Sequence, residues 1–429
     1  MSTVNYKCPC CGGPLAYSGE SDKLECSACG NSYELADMEA LDLEEEGSQL
    51  EFELKAESFG EGDAVTAYTC ENCGAELICD ETTTATECPY CGSPTILPDH
   101  IKGGVKPEKV VPFVITKEQA TEAFEGYFKG KKLMPNIFLN TRNRISEMRK
   151  LFVPYWLFNC DAYADIVYNA EKKHVERHGD YEVTRVDHYA VRRKGTLGFD
   201  DIPVDGSQKM DDKITESLEP YDCSKAVPFQ SAVLSGAMAD HADVAAEDCQ
   251  NRVEERVETS TENAMRSTVR GYDNVTVRKK FIRTENGSVT PVLMPVWLIT
   301  TEKEEPEGKK TYTYAINGQT GKLTCDVPYA KGKAFAWFGG IFGGVTAVAM
   351  ALLAILEKMQ SGPIIIAVIV ALLAGLIAVS IMKGQLKTAH NVSGAANYER
   401  DDSLELEIKH DRFLYQTTTR RKIQTNQSK

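Results

Sequence analysis

Residues 334–356 read AFAWFGGIFGGVTAVAMALLAIL and residues 364–382 read IIIAVIVALLAGLIAVSIM, and neither run holds a charged side chain. At about 1.5 Å per residue, a helix of about 20 residues crosses the ~30 Å hydrocarbon core of a bilayer and satisfies its own backbone there. Only Glu357 to Pro363 separate the runs. The spacing therefore predicts a two-helix transmembrane hairpin over 334–382 with both flanks on one side. Lys331 and Lys333 precede it and Lys383 and Lys387 follow it, whereas the turn sets Lys358 beside Glu357. Cationic flanks resist translocation, so both termini are expected in the cytoplasm, with the chain a two-span protein of the cell membrane. Gly339 with Gly343 and Gly340 with Gly344 form overlapping GxxxG patterns, and Ala367, Ala371 and Gly375 line the second helix. Such small-residue faces could pack the hairpin on itself or against a second copy. The spans carry no ionisable residue, which argues against an ion pathway.

Over the whole chain, 48 basic and 63 acidic side chains leave a net charge of −15, a sign that disfavours nucleic acid as a general partner. The opening MSTVNYK lacks the apolar segment of a signal peptide, in keeping with a cytoplasmic start. Most of the fourteen cysteines precede residue 92, and eight of these form evenly spaced pairs. In a reducing compartment that pattern points to metal rather than disulfides.

Cys8 and Cys11 form a C-x2-C pair, fourteen residues follow, and Cys26 and Cys29 form another; Cys70, Cys73, Cys88 and Cys91 repeat the spacing. Each pair is followed by glycine: Gly12, Gly30, Gly74 and Gly92. Two intervening residues let both thiolates reach one ion, and glycine accepts the positive φ that comes next. Two such knuckles close a tetrahedral four-sulfur site with no open position. The site is therefore structural, and zinc is the expected ion, with iron the alternative. Leu15, Ala16, Tyr17 and Leu24 in the first unit, and Leu77 and Ile78 in the second, suit short hairpin strands; Cys10 and Cys79 are spare thiols. Both units are acidic, through Glu20, Asp22, Glu25 and Glu34 in one and Glu71, Glu76, Asp80, Glu81 and Glu87 in the other. A phosphate-binding surface needs the opposite sign, so a protein partner is the better expectation than nucleic acid.

The cysteine–glycine framework resembles the ribbon of the general transcription factor TFIIB. Between the ribbons, residues 37–63 carry many carboxylates and one lysine, which suggests an extended tether with a short helical stretch at Met38 to Leu43. After His100 the pattern is α+β. Thr116 and Gln119 make a capping box for a helix over Lys117 to about Lys132, and a second helix is expected near Thr141. VPYWLF at 153–158 is echoed by MPVWLI at 294–299, a weak internal duplication, with a long helix from Asp240 to about Val269 between the copies. His174, His178 and His188 are expected in a hydrophilic loop and Asp200, Asp201, Asp205, Asp211 and Asp212 in a surface turn, without catalytic motif. Arg420, Arg421 and Lys422 end a strand-like tail and could either touch anionic lipid or stay free.

VPYWLF, the IPVDGSQKMDD loop, MPVWL and the YAINGQTGKL hairpin, set before a two-helix anchor, are similar to a family of bacterial membrane proteins with amino-terminal TFIIB-type zinc ribbons. That resemblance covers nearly the whole chain. It implies a non-enzymatic adaptor, some relatives of which sit in phage-shock-like envelope-stress operons and recruit a peripheral membrane-remodelling protein. Members are often labelled as primosomal helicase-related, yet no helicase motif occurs here, and two ribbons rather than one is a departure. The expected architecture is multidomain: two small β zinc ribbons at 1–36 and 64–99, an acidic linker at 37–63, an α+β cytoplasmic domain at 100–333, the α-helical hairpin at 334–382 and a cytoplasmic tail at 383–429.

Overall fold

The computed structural model describes residues 6–39, 51–54, 56–59, 63, 65–80, 88–91, 93, 96–99, 104–135, 148–305, 308–325, 329–356, 361–386, 388–390 and 392–422. Its strands are β1 (Leu15–Ser18), β2 (Lys23–Cys26), β3 (Ser32–Glu34), β4 (Phe52–Leu54), β5 (Glu57–Ser58), β6 (Val65–Cys70), β7 (Glu76–Asp80), β8 (Ile96–Asp99), β9 (Val105–Lys106), β10 (Lys109–Val110), β11 (Arg149–His178), β12 (Tyr181–Asp205), β13 (Val227–Pro228), β14 (Met238–Asp240), β15 (Asn274–Glu305), β16 (Gly308–Asn317), β17 (Leu323–Cys325) and β18 (Glu405–Lys422). The helices are α1 (Leu35–Glu39), α2 (Lys117–Phe128), α3 (Asp212–Leu218), α4 (Ala246–Ser267), α5 (Lys331–Ile355) and α6 (Ser361–Gly384). Among the described residues β1 to β3 form one small sheet, β5 pairs with β9, and the remaining strands join in a thirteen-stranded mixed sheet.

At its centre the two tryptophan-bearing segments lie side by side. β11 and β15 run antiparallel with Val153 opposite Met294, so Pro154 and Trp156 are related to Pro295 and Trp297 by a local twofold. The surroundings obey the same relation. β12 ends with Asp205 opposite Tyr155, and β16 ends with Asn317 opposite Val296. Gly206 N–H donates to the Pro154 carbonyl (2.9 Å) and Gly318 N–H to that of Pro295 (2.8 Å). Proline returns no N–H to its partner strand, which leaves each glycine carbonyl open. The Gly206 carbonyl takes the N–H groups of Asp243 and Val244 (both 3.0 Å), and the Gly318 carbonyl takes those of Val114 and Ile115 (2.9 and 2.8 Å). Trp156 then donates to the Val244 carbonyl (2.9 Å) and Trp297 to that of Ile115 (3.0 Å).

Each of these loops leads into a helix, α4 or α2, and follows a short strand. β14 lies parallel to β11 and β10 parallel to β15. Two β-α-β-β units are thus interlocked, each laying its first strand on the long hairpin of the other. Because β11 is covered on both faces, residues 151–158 are continuously apolar rather than alternating. Leu151, Val153, Tyr155 and Leu157 join Val292, Met294, Val296 and Leu298 in one core. Trp156, Phe158, Cys160 and Ala162 meet Cys249, Val253 and Val257 of α4 on the other face.

β11 has 30 residues, β12 25, β15 32 and β18 18, against about five or six for an ordinary strand. In the order β15–β11–β12–β18 they extend as an arm whose tip is the turn at Gly179 and Asp180. Ala164, Ile166 and Tyr168 hold one face of the arm to the end of α4 through Met265 and Val269. Val167, Ala190, Phe281 and Leu414 on the other face carry the first cysteine unit.

Several expectations change here. His174, His178 and His188 lie on paired strands, beside Asp187 (3.4 Å), Glu176 (3.2 Å) and Glu171 (3.6 Å) respectively, and do not converge. Asp200, Asp201 and Asp205 belong to β12, where Asp205 is buried, and Asp211 caps α3 instead of sitting in a mere surface turn. The long helix starts at Ala246, since Met238–Asp240 is claimed by β11 as a strand. The capping box of α2 forms as expected, but the helix stops at Phe128. Residues 37–63 are more than a tether: β4 pairs with Gly287 to Val289, and Phe52 packs edge-on against Phe158 at 5.4 Å. Arg420, Arg421 and Lys422 pair with Val183, Glu182 and Tyr181 at the arm tip. At about 3.3 Å per residue that tip is roughly 100 Å along β11 from Arg149, near which the base of α5 and α6 joins the core. Of the small-residue faces, Ala371 and Gly375 are buried in the hairpin with Phe338 over Gly375, whereas Gly339, Gly340, Gly343 and Gly344 face open space. The helix expected near Thr141, Gly92, the turn at 357–360 and Lys387 lie outside the described residues.

A methyl group on Gly318 would lie 2.6 Å from the Phe113 ring and 2.8 Å from Pro295. Overpacking of this kind costs about 1–3 kcal/mol, and a domain this size loses about 2–4 °C per kcal/mol. Gly318→Ala is expected to lower the thermal midpoint by roughly 5 °C in detergent, while Gly332→Ala, with nothing within 4 Å of its added carbon, leaves it within about 1 °C. Equal midpoints for both variants would contradict the close approach at Gly318.

Candidate metal centres

All eight predicted ligands converge in two groups of four, Cys8, Cys11, Cys26 and Cys29, and Cys70, Cys73, Cys88 and Cys91, with the sulfurs of each group within 4.8 Å of one another. The Sγ–Sγ separations include 3.5 Å for Cys8–Cys29 and Cys11–Cys26, 3.7 Å for Cys70–Cys91 and 3.6 Å for Cys73–Cys88. Zinc–sulfur bonds of about 2.3 Å give a tetrahedron with edges of about 3.8 Å. Each group could therefore hold one metal ion, and donor set and size suit zinc.

The backbone explains why the sequence folds this way locally. Gly12, Gly30 and Gly74 have φ of 73°, 74° and 67°, and their N–H groups close turns onto the carbonyls of Cys8, Cys26 and Cys70 at 2.8–2.9 Å. That bend turns amides toward sulfur. Burial alone would raise the Cys8 thiol, but hydrogen bonds from the Tyr33 hydroxyl and the Cys11 and Cys10 amides bring it down to about 6. Cys29 goes the other way, up to about 12, because the Asn31 amide that favours its thiolate is outweighed by burial and by Cys8, Cys11 and Cys26. Four adjacent thiols cannot all ionise unaided, and a cation at their centre removes the conflict.

The two centres differ in their setting. In the first, Cys11 and Cys29 are exposed, and the unit rests on the arm through Leu15, Leu24 and Tyr33. Its outer surface presents Glu20, Asp22 and Glu25 together with Tyr17, 56 % exposed. In the second, Cys70 and Cys88 are fully buried in the same core as Val153 and Met294. β7 pairs with β14, so this unit continues the large sheet. Lys209 donates to the Cys73 carbonyl (3.1 Å), and the Tyr90 hydroxyl, between two ligands, donates to Asp240 (2.5 Å). Ser207, next to Gly206, also donates to Asp240, whose carboxyl burial pushes up to about 7. Cys79, expected as a spare thiol, is buried on β7, whereas Cys10 is half-buried beside the first centre.

The sequence thus located the eight converging cysteines but missed Tyr33, Tyr90 and Asp240, which hydrogen-bond to sulfur or tie a knuckle to the core. Their spacing carries no motif, since their partners are up to 150 residues away. Two four-cysteine β units, a large mixed-sheet domain and a pair of long apolar helices define the class of protein. The chain belongs to the family of the uncharacterized protein YdjG of Bacillus subtilis (strain 168), to which it is 35% identical over 341 residues, 80% of this chain and 95% of YdjG. No family model matches it, and no solved structure does.

The different settings predict different consequences of ligand loss. Cys26→Ser is expected to release one of two zinc equivalents and unfold the first unit alone, moving the main thermal midpoint by less than about 3 °C. Cys88→Ser opens the shared core, and a loss of even 3 kcal/mol there lowers the midpoint by about 10 °C. Metal analysis and thermal scans check both, and matching midpoints would contradict the integration of the second unit.

Proposed function

We propose that the protein is a membrane-anchored, non-enzymatic adaptor whose first zinc ribbon is displayed to a cytoplasmic or membrane protein partner and whose second ribbon is part of the domain that displays it. The carrying observation is the combination of two closed four-sulfur sites with an apolar helix pair left almost wholly exposed. Only Ala334 of α5 and Ala371, Gly375 and Val379 of α6 are buried. An apolar surface of that extent is unusual for a soluble domain and is satisfied by lipid, so the helices are read as two spans of a cell membrane. Lysine placement supports cytoplasmic termini, which also keeps the ligand thiols in a reducing compartment.

Closed sites offer no coordination position for substrate, in keeping with a structural role. The acidic outer surface of the first ribbon, with exposed Tyr17, favours a protein partner over nucleic acid. The two interlocked units are consistent with an internal duplication, and the open faces at Gly339, Gly340, Gly343 and Gly344 leave room for a second copy. The likeness to ribbon-bearing membrane proteins of envelope-stress operons adds that setting to the proposal.

Crosslinking and affinity capture from membranes, with and without residues 1–36, tests the adaptor role. Loss of specific partners on deletion is expected, with the rest of the chain still folded by its thermal midpoint; identical partner sets would reject it. Nucleic acid captured instead, and released by salt, would favour a membrane-tethered nucleic-acid-binding ribbon. For topology, a cysteine at Ser361 is expected to react with an impermeant reagent on intact cells, and a green fluorescent protein fused after Lys429 to be fluorescent. An unreactive Ser361→Cys with an active external reporter at the same fusion point would invert the arrangement.

A further inference from the structure

Where the apolar helices leave the sheet domain, Tyr329, Lys331, Ala334, Phe335, Phe338, Leu376, Val379 and Lys383 enclose a recess of about 330 Å³. Its chemistry is graded. Lys331 and Lys383 stand at one end, with the Lys383 ammonium 4.3 Å from the centre of the Tyr329 ring, and Phe335, Phe338 and Leu376 line the other. Lys383 and Leu376 are two turns apart on α6, about 10 Å along the axis. Neither Lys331 nor Lys383 pairs with a carboxylate among the described residues, whereas the neighbouring Lys333 is taken by the Met134 carbonyl at 2.8 Å. The amino-terminal end of the 25-residue α5 adds a positive dipole at the same level. Phe338 is seated over Gly375, where an added methyl would lie 2.9 Å from its ring.

A ligand matching this gradient has one anionic group beside two cations and a hydrocarbon chain within 10 Å of it. We propose that the recess binds one anionic phospholipid, its phosphate between Lys331 and Lys383 and its first acyl carbons against Phe335, Phe338 and Leu376. This rests on the reading of α5 and α6 as membrane spans, which puts the lysines at headgroup level and the aromatic rings just below. Bound there, the lipid fixes the angle between helix pair and sheet domain, since Ala334 and Val379 of the recess also belong to the core that contains Tyr314 and Cys325.

The chain itself supplies the probe. Of its three tryptophans, Trp156 and Trp297 are 2% and 4% exposed inside the sheet domain, and Trp337 is exposed on the first turns of α5. Full-length protein in phosphatidylcholine nanodiscs is titrated with a small fraction of dibrominated phosphatidylglycerol or, separately, dibrominated phosphatidylcholine, and quenching of Trp337 is read against Trp337→Phe. The brominated anionic lipid is expected to quench about fivefold more effectively, a preference lost in Lys331→Gln/Lys383→Gln while quenching by brominated phosphatidylcholine persists. Equal quenching by the two lipids in the parent protein overturns the site but leaves the membrane reading standing. No quenching by either overturns both. A preference abolished by excess inorganic phosphate identifies free phosphate as the occupant and overturns the lipid assignment.

Discussion

The antiparallel register that sets Val153 against Met294 is the constraint on which the rest of the structure depends. It brings two prolines to equivalent positions beside the ends of β12 and β16, where each withholds the N–H a partner strand would use. The freed carbonyls of Gly206 and Gly318 are claimed by the loops that begin α4 and α2, and the tryptophan side chains close the same loops. A buried carbonyl left unpaired costs about 1–3 kcal/mol, so the two buried glycine acceptors discourage any arrangement in which the units separate. Each unit is completed by the other. Slipping the register by one residue would turn Trp156 and Trp297 to the wrong face and lose both crossings.

The second metal centre is an extension of this crossing. Ser207 follows Gly206 directly, and its hydroxyl shares Asp240 with Tyr90 of the knuckle. The segment from Asp240 to Val244 therefore carries contacts to the ribbon at one end and to the crossing at the other. A metal ion held by these four cysteines would be coupled to the fold as a whole. Among the described residues the first cysteine unit has no such link to the crossing: it rests through Leu15, Leu24 and Tyr33 on the distal arm, held by apolar contact with Val167, Ala190 and Phe281. Two sites with one spacing thus acquire different roles from what they pack against.

Length separates the remaining features. The arm carries Arg420 to Lys422 away from the end of the sheet where α5 and α6 join it, while Lys331 and Lys383 remain at that junction. Two of the lysines at the base of the apolar helices also line a recess. At the arm tip the same residue types find cross-strand partners, as in Arg185 with Glu176 at 2.7 Å and Arg420 over the Tyr181 ring at 4.0 Å.

The sequence by itself determined the features whose physics is local. Four thiolates at C-x2-C spacing with a following glycine, a charge-free run of about 20 residues, and Thr116 with Gln119 each specify their structure within a few turns of chain. It also exposed the echo of VPYWLF in MPVWLI, because both strands need the same proline and tryptophan. Tertiary structure alone decided how the pieces combine. Asp240 reads as the start of a helix but pairs with Leu77 as a strand; His174 and His188 read as loop but lie opposite Arg185 and Glu171 in the hairpin of β11 and β12. The acidic stretch reads as a solvated tether, yet Phe52 finds Phe158 in the core. For Asp240 and Phe52 the local preference is worth less than one contact made more than 100 residues away, and no pattern in the intervening residues records which contact that will be.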